Sequence, residues 1–413
     1  MPSDRVAGRL GRLEFVVLVA ALIAINAFAI DIMLPGLQQI GAGLGEPDPN
    51  RRQLVIPAYM LGFGVLQLVF GPLSDRFGRR GPLLFGLGIY CLAALSAYLV
   101  TDFNQLVALR FIQGAGAAAS AVIATALVRD LFVGDAMART LSLVFMVLMI
   151  SPILAPGLGQ GLLQVMQWRG LFLFMALVGI LVTIWVALRL PETLKPENRR
   201  ALTFNSVIEG FGIVFTNRIA TGYSLAVAMI FGALMGFLNS SQQVYVEHYG
   251  VGTWFPAYFA ASAAFSALGG FANSRLVVRF GMRRLAHGAL AAFCAAAALM
   301  LVLGLADLLP LPAFLGLSMV IFFAFSMIMP NFGALALEPL GAVAGTAAST
   351  QGFLQMSLGA GLGTVIGQFF DGTAVPLALG FFGLGLAAAL CVAAAGRSPG
   401  TAGEGVPASP PLH

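Results

Sequence analysis

Apolar runs of about 20 residues or more, the length of one helical bilayer crossing, alternate with short polar breaks along the whole chain. Twelve runs stand out, at 14–40, 53–74, 82–100, 104–128, 139–166, 170–190, 217–246, 254–278, 285–306, 312–337, 344–370 and 374–396. None shows the strict apolar/polar alternation of a barrel strand, so each predicts a transmembrane α-helix. The expected fold class is an all-α membrane protein of twelve helices.

Composition agrees. With 59% hydrophobic and 9% charged residues, no soluble domain of this length is expected. The few cations are unevenly placed. If the N-terminus is cytoplasmic, most of the 22 Lys and Arg fall inside. The outside receives Arg51, Arg52 and Arg169, and Arg110 is left within a span. Basic residues favour the cytoplasmic side, so both termini are expected there. The net charge of +5 is then a topology signal and implies no nucleic-acid partner. Cys91, Cys294 and Cys391 sit in apolar runs without ligand spacing and read as packing residues, so no metal or resident cofactor is expected. Residues 14–40 exceed the length of a signal-peptide core.

Two charged knots divide the pattern. Gly71-Pro-Leu-Ser-Asp75-Arg76-Phe-Gly78-Arg79-Arg80 lies between the second and third runs, and a shorter echo, Arg279-Phe280-Gly281-Met282-Arg283-Arg284, lies between the eighth and ninth. A charged turn repeated at half the chain length predicts two pseudo-symmetric six-helix bundles, as many secondary transporters are built. The expected division is a first bundle over 1–190, a cytoplasmic linker over 191–216, a second bundle over 217–396 and a disordered tail over 397–413.

Charges inside the membrane are costly and usually functional. Asp31 lies roughly 13 Å inside the outer end of the first run, and Arg110 about 12 Å inside the outer end of the fourth. At one depth they are expected to pair or to share a polar cavity. A carboxylate there can exchange a proton as its surroundings alternate between apolar and cationic; the competing reading is a static pair that fixes packing. In the charged knot, Gly71 is expected to let the second span approach a neighbour. Asp75 would find a partner at the start of the eleventh span, Gly345 to Ser349, or in Arg129. With Arg76, Gly78 and Arg79 this makes a candidate latch on the inner side. In the fifth span, Pro152 and Pro156 should bend the helix and, with Gly157, Gly159 and Gly161, let it slide on Ala260, Ala263, Ala264, Ala267 and Gly270 of the eighth.

These residues resemble a known family. Segment 71–80 fits the G-x-x-x-D-R-x-G-R-R signature of the major facilitator superfamily. Leu109-Arg110-Phe-Ile-Gln113-Gly114-Ala-Gly116 and Ile30-Asp31-Ile-Met-Leu34-Pro35, together with Val128-Arg129-Asp130, are similar to motifs of its twelve-span drug/proton antiporters of the bicyclomycin/chloramphenicol-resistance type. Two departures stand out: Ala155-Pro156-Gly157-Leu158-Gly159-Gln160 lacks the first and last glycines of the antiporter motif G-P-x-x-G-G, and Ile23 occupies the place of a second carboxylate.

The resemblance implies proton-driven export of small hydrophobic drugs by a monomer that uses the proton gradient and no cofactor. Asp31 and Arg110 would lie in the coupling and substrate region, with Gln113 beside them. Helical spacing adds candidate pocket walls: Tyr59, Phe63 and Gln67 in the second span, Met235, Asn239 and Gln242 in the seventh, Phe325 and Met329 in the tenth. The rival reading is a facilitator for a metabolite such as an amino acid or sugar. A membrane enzyme or receptor would need a catalytic cluster or an extramembrane domain, and the sequence offers neither.

Overall fold

The computed structural model describes residues 5–6, 10–132, 134–194, 212 and 214–396, and within them the side chains of all but 5–6, 134–139, 141–149, 341–347 and 349. Most of the expected linker, at 195–211 and 213, and the expected tail lie outside the described residues. Among those described are twelve helices of 19 residues or more: α1 Arg12–Asp31, α2 Val55–Phe77, α3 Arg80–Tyr98, α4 Phe103–Leu131, α5 Gly134–Val165, α6 Arg169–Arg189, α7 Arg218–Gln242, α8 Phe255–Phe280, α9 Met282–Leu305, α10 Leu311–Leu337, α11 Ala344–Gln368 and α12 Val375–Ala395. Ten spans are long and apolar enough to cross a membrane. The other two helices, α5 and α11, stand where the fifth and eleventh runs predicted them.

The chief departure is in the first run. It does not continue as one helix to 40: α1 ends at Asp31, a 3₁₀ turn covers Leu34–Gly36, and a short helix follows at Leu37–Gly43. Pro35 supplies the reason. It has no N–H to offer the Asp31 carbonyl, and its ring disfavours a continuous helix. Asp31 is therefore the last helical residue before a break.

The two halves repeat one packing scheme. α1 packs on α4, α5 and α6, as α7 packs on α10, α11 and α12. α2 packs on α4 and α3 on α4 and α6, as α8 packs on α10 and α9 on α10 and α12. The halves meet mainly through α2 with α11 and α5 with α8, pairs that exchange under the same pseudo-symmetry. The charged knots repeat as well. Gly78 (φ +93°, ψ 169°) and Gly281 (φ +77°, ψ 154°) end α2 and α8 in the same left-handed conformation, one that a residue with a Cβ rarely adopts.

Lipid replaces water as the outer solvent. On α6, Leu173, Leu177, Leu181, Ile184 and Leu188 are exposed at helical spacing, while Phe172, Ala176 and Val186 are buried on the other face. A helix apolar all round belongs in a bilayer. The central α7 is the most enclosed, with buried residues nearly throughout its length. One end of the bundle carries Arg12, Arg76, Arg79, Arg80, Arg129, Arg189, Arg218, Arg279, Arg283 and Arg284; it is called the basic end below.

Candidate functional site

The site begins with two glycines. A methyl group on Gly114 of α4 would collide with the carbonyl oxygen of Tyr59, and one on Gly62 of α2 with that of Phe111. With only hydrogens there, the α2 and α4 backbones touch. A second contact, Gly116 of α4, faces the Gly86 carbonyl of α3 at 2.6 Å from where a Cβ would stand. The small residues of the Arg110 motif thus seat α4 between two neighbours.

That seating aims Arg110, one turn away, into the first half. Its guanidinium is fully buried and lies over the Tyr59 ring, 4.5 Å from the centroid. Nε donates to the Val55 carbonyl of α2 at 3.1 Å, Nη1 to Gln113 Oε1 at 2.7 Å and Nη2 to the Ala29 carbonyl of α1 at 2.9 Å. The Ala29 carbonyl sits in the last turn of α1, where intrahelical donors run out. Arg110 therefore braces three helices. Below it, Tyr59 donates from its hydroxyl to Asn26 Oδ1 at 3.2 Å, and Asn26 Nδ2 donates to Ser120 Oγ at 2.9 Å. Asn26 and Ser120 complete the polar core, and the sequence reading missed both.

Asp31 stands apart from this brace. Its side chain is 4% exposed, and among the described residues its carboxyl makes neither a hydrogen bond nor an ion pair. Of the two expectations, pairing or a shared cavity, the pair is not formed: the two share a depth, and Arg110's bond to Ala29 brings it to the same turn of α1, but the guanidinium spends its donors on Val55, Gln113 and Ala29. Pro35 gives Asp31 its place at the helix break, and Gly159 brings α5 against it. A methyl on Gly159 would overlap the Ile32 carbonyl, the next residue along. Asp31 is thus a buried, unpartnered carboxyl where α1 and α5 meet. Losing water there without a compensating partner is costly for a charged group.

Between described side chains, the charged knot forms a tight cluster within the first half. Arg79 is its hub: Nη1 donates to Asp75 Oδ1 at 2.5 Å and Ser74 Oγ at 2.9 Å, and Nε to Asp130 Oδ2 at 2.8 Å. Asp75 is thereby paired with Arg79 and not with Arg129, which is exposed, as is Arg76. The proposed partners at 345–347 and 349 lie outside the described side chains. A Cβ on Gly71 would make only ordinary contact, with Val122; the glycine that admits the other half is Gly64, where a Cβ would stand 3.1 and 3.2 Å from Met356 Cβ and Ser357 Oγ of α11. Glu192, read before only as part of the linker, caps the turn, accepting from the backbone N–H groups of Arg79, Arg80, Thr193 and Leu194 at 2.8–3.2 Å. Gly78 leaves the room for this carboxylate, whose Cδ would lie 2.7 Å from a Cβ. Pro152 and Pro156 lie inside a helix that continues through both, and α5 does pack on α8.

Residues 16–364 match the Major Facilitator Superfamily. The chain belongs to the major facilitator superfamily. A bicyclomycin resistance protein homolog of Haemophilus influenzae is 31% identical to it over 367 residues, 88% of this chain and 91% of that protein. Multidrug resistance protein D of Escherichia coli is 33% identical over 224 residues, 54% of this chain and 55% of that one. Among solved structures, a D-xylose-proton symporter superposes with a TM-score of 0.71 at 14% identity, covering 93% of this chain and 97% of the other, which bears on the fold alone.

In this facilitator the second-half candidates are packed, not open. Met235, Asn239 and Gln242 are each 2–3% exposed. Gly363 of α11 seats on Met235, where a Cβ would stand 2.7 Å from the Met235 carbonyl carbon, and Gly367 seats on Asn239, where a Cβ would stand 2.9 Å from its Cβ. Phe325 and Met329 of α10 are half-buried. Phe63 stacks against Tyr59, rings 6.5 Å apart, but Tyr59, Arg110 and Gln113 are at most 1% exposed. In this conformation the predicted walls are thus buried or, like Gln67, Phe325 and Met329, half-buried.

Proposed function

We propose that this facilitator is a proton-coupled antiporter that exports small hydrophobic drugs, bicyclomycin- or phenicol-like, across a bacterial inner membrane by alternating access. Its basic end then faces the cytoplasm, with both termini on that side. The observation that carries the reading is Asp31: a buried carboxyl without a partner among the described residues, at a helix break, in a chain whose relatives are named for bicyclomycin and multidrug resistance. Because Arg110 is committed to Val55, Gln113 and Ala29, it holds the frame around Asp31 and does not neutralise it. Asp31 carries its proton while closed off and releases it when rocking of the halves admits water or a polar cargo. Drug and proton thus use the same cavity in turn, and the gradient drives export.

The test is counterflow in proteoliposomes across a panel of drugs, amino acids and sugars, with and without an imposed pH gradient. Drug exchange that accelerates with the gradient supports the proposal. Exchange of a metabolite with no drug transport overturns it in favour of the metabolite reading, which has one observation on its side: the buried amides Asn239 and Gln242 each keep a carbonyl oxygen unpartnered.

A further inference from the structure

Between described residues, every side-chain hydrogen bond and ion pair that joins the halves lies at the end opposite the basic one, and one residue gathers most of them. Asn50 lies in the segment between α1 and α2. Its Nδ2 donates to the carbonyl oxygens of Gln368 and Phe370, each at 3.0 Å, and its Oδ1 accepts from Gln243 Nε2 at 3.0 Å. Gln368 Nε2 returns a bond to the Asn50 carbonyl at 2.7 Å. Asn50 thus ties the first half to the outgoing end of α11 and to the end of α7 together. Nearby, Arg52 pairs with Glu247 at 2.9 Å, and Gln38 donates to the same carboxylate oxygen at 3.2 Å.

We infer that Asn50 is the positioning residue that latches this end shut during the transport cycle. The Arg52–Glu247 pair is reached by solvent, so salt screens it. The Asn50 bonds are different: two run from its amide to backbone carbonyls, two more come from the Gln243 and Gln368 side chains, and together they fix three segments in one register. The surroundings make the latch necessary. Gln53, 1% exposed, has no partner for either side-chain polar atom, and Gln242 and Gln243 each leave Oε1 unpaired. Buried polar atoms without partners favour whichever state gives them water. Closure is therefore held by Asn50 against amides that are relieved by opening. The inference concerns neither cargo nor proton, so it stands or falls apart from the proposed function.

The experiment measures spin-label distances in full-length protein in lipid nanodiscs at fixed pH, without drug, after Cys91→Ser, Cys294→Ser and Cys391→Ser. Labels at Ala42→Cys and Thr253→Cys report the latched end; labels at Gly81→Cys and Met282→Cys report the basic end. Asn50→Ala should raise the open-to-closed ratio at the latched end by about tenfold, the equivalent of one or two lost hydrogen bonds, while the basic-end pair closes up. Asn50→Asp should shift it further, because a carboxylate oxygen would then face two carbonyl oxygens. Gln53→Leu should shift it the other way. Should Asn50→Asp not fold, Gln368→Met removes one latch bond and should give a smaller shift in the same direction as Asn50→Ala. Unchanged distances in Asn50→Ala and Gln368→Met, or lower thermal stability with the ratio unmoved, would overturn the latch and leave Asn50 a structural residue.

Discussion

Arg110→Lys set beside Asp31→Asn separates the brace from the unpartnered carboxyl. A lysine keeps the charge but is a single point donor, and it cannot reach Val55 O, Gln113 Oε1 and Ala29 O together. Two of the three acceptors are left unpaired in a fully buried place. At about 1–3 kcal/mol for each, the loss is about 2–6 kcal/mol, with further loss of the stacking on Tyr59. Taking about 4 kcal/mol, and about 2 °C per kcal/mol for a long chain, the apparent unfolding temperature should fall by about 8 °C. Asp31→Asn removes no bond and exchanges one buried, uncharged polar side chain for another of the same size, so its unfolding temperature should stay level. The assay is a thermal melt of purified protein in one detergent, followed by tryptophan fluorescence. An Arg110→Lys variant that melts with the parent, or an Asp31→Asn variant that falls as far as Arg110→Lys, would refute the division of roles drawn here.

Two further outcomes follow from the packing. Gly114→Ala places a methyl against the Tyr59 carbonyl and should force α2 and α4 apart, seen as a lost monodisperse peak in size-exclusion chromatography; Gly88→Ala, where nothing lies within 4 Å, should leave that peak intact. Glu192→Ala releases four backbone N–H groups at the α2–α3 turn and beyond α6, so hydrogen exchange at Arg79 and Arg80 should quicken by about tenfold, with Glu192→Gln between the two.

Much of the architecture was legible because the bilayer imposes it. Tenth-span bounds read as 312–337 became Leu311–Leu337, since a span must be apolar throughout and its ends are marked by polar residues. The repeat was legible too, because the glycines in the two charged knots meet the same backbone requirement. The first span was misread past Asp31 because hydropathy counts apolar length and is blind to a proline that ends a helix within it. Pairing was misjudged for a different reason. Depth placed Asp31 and Arg110 at one level, but the guanidinium direction depends on Gly114 and on a free carbonyl at the end of α1. Neither Asn26 with Ser120 nor Asn50 with Gln368 announces itself, because their partners are far apart in sequence and show no periodicity. At the basic end the motif charges build a cluster around Arg79, and the latch partners expected at 345–347 and 349 lie outside the described side chains.

The central claim is that the Asp31 carboxyl carries the coupled proton. Its most direct test is drug-driven proton release in proteoliposomes, with a pH dye on one side and parent or Asp31→Asn protein in the membrane. The account predicts a proton burst on drug addition for the parent and none for Asp31→Asn, with drug binding to the variant retained. Equal bursts from the two proteins would contradict it.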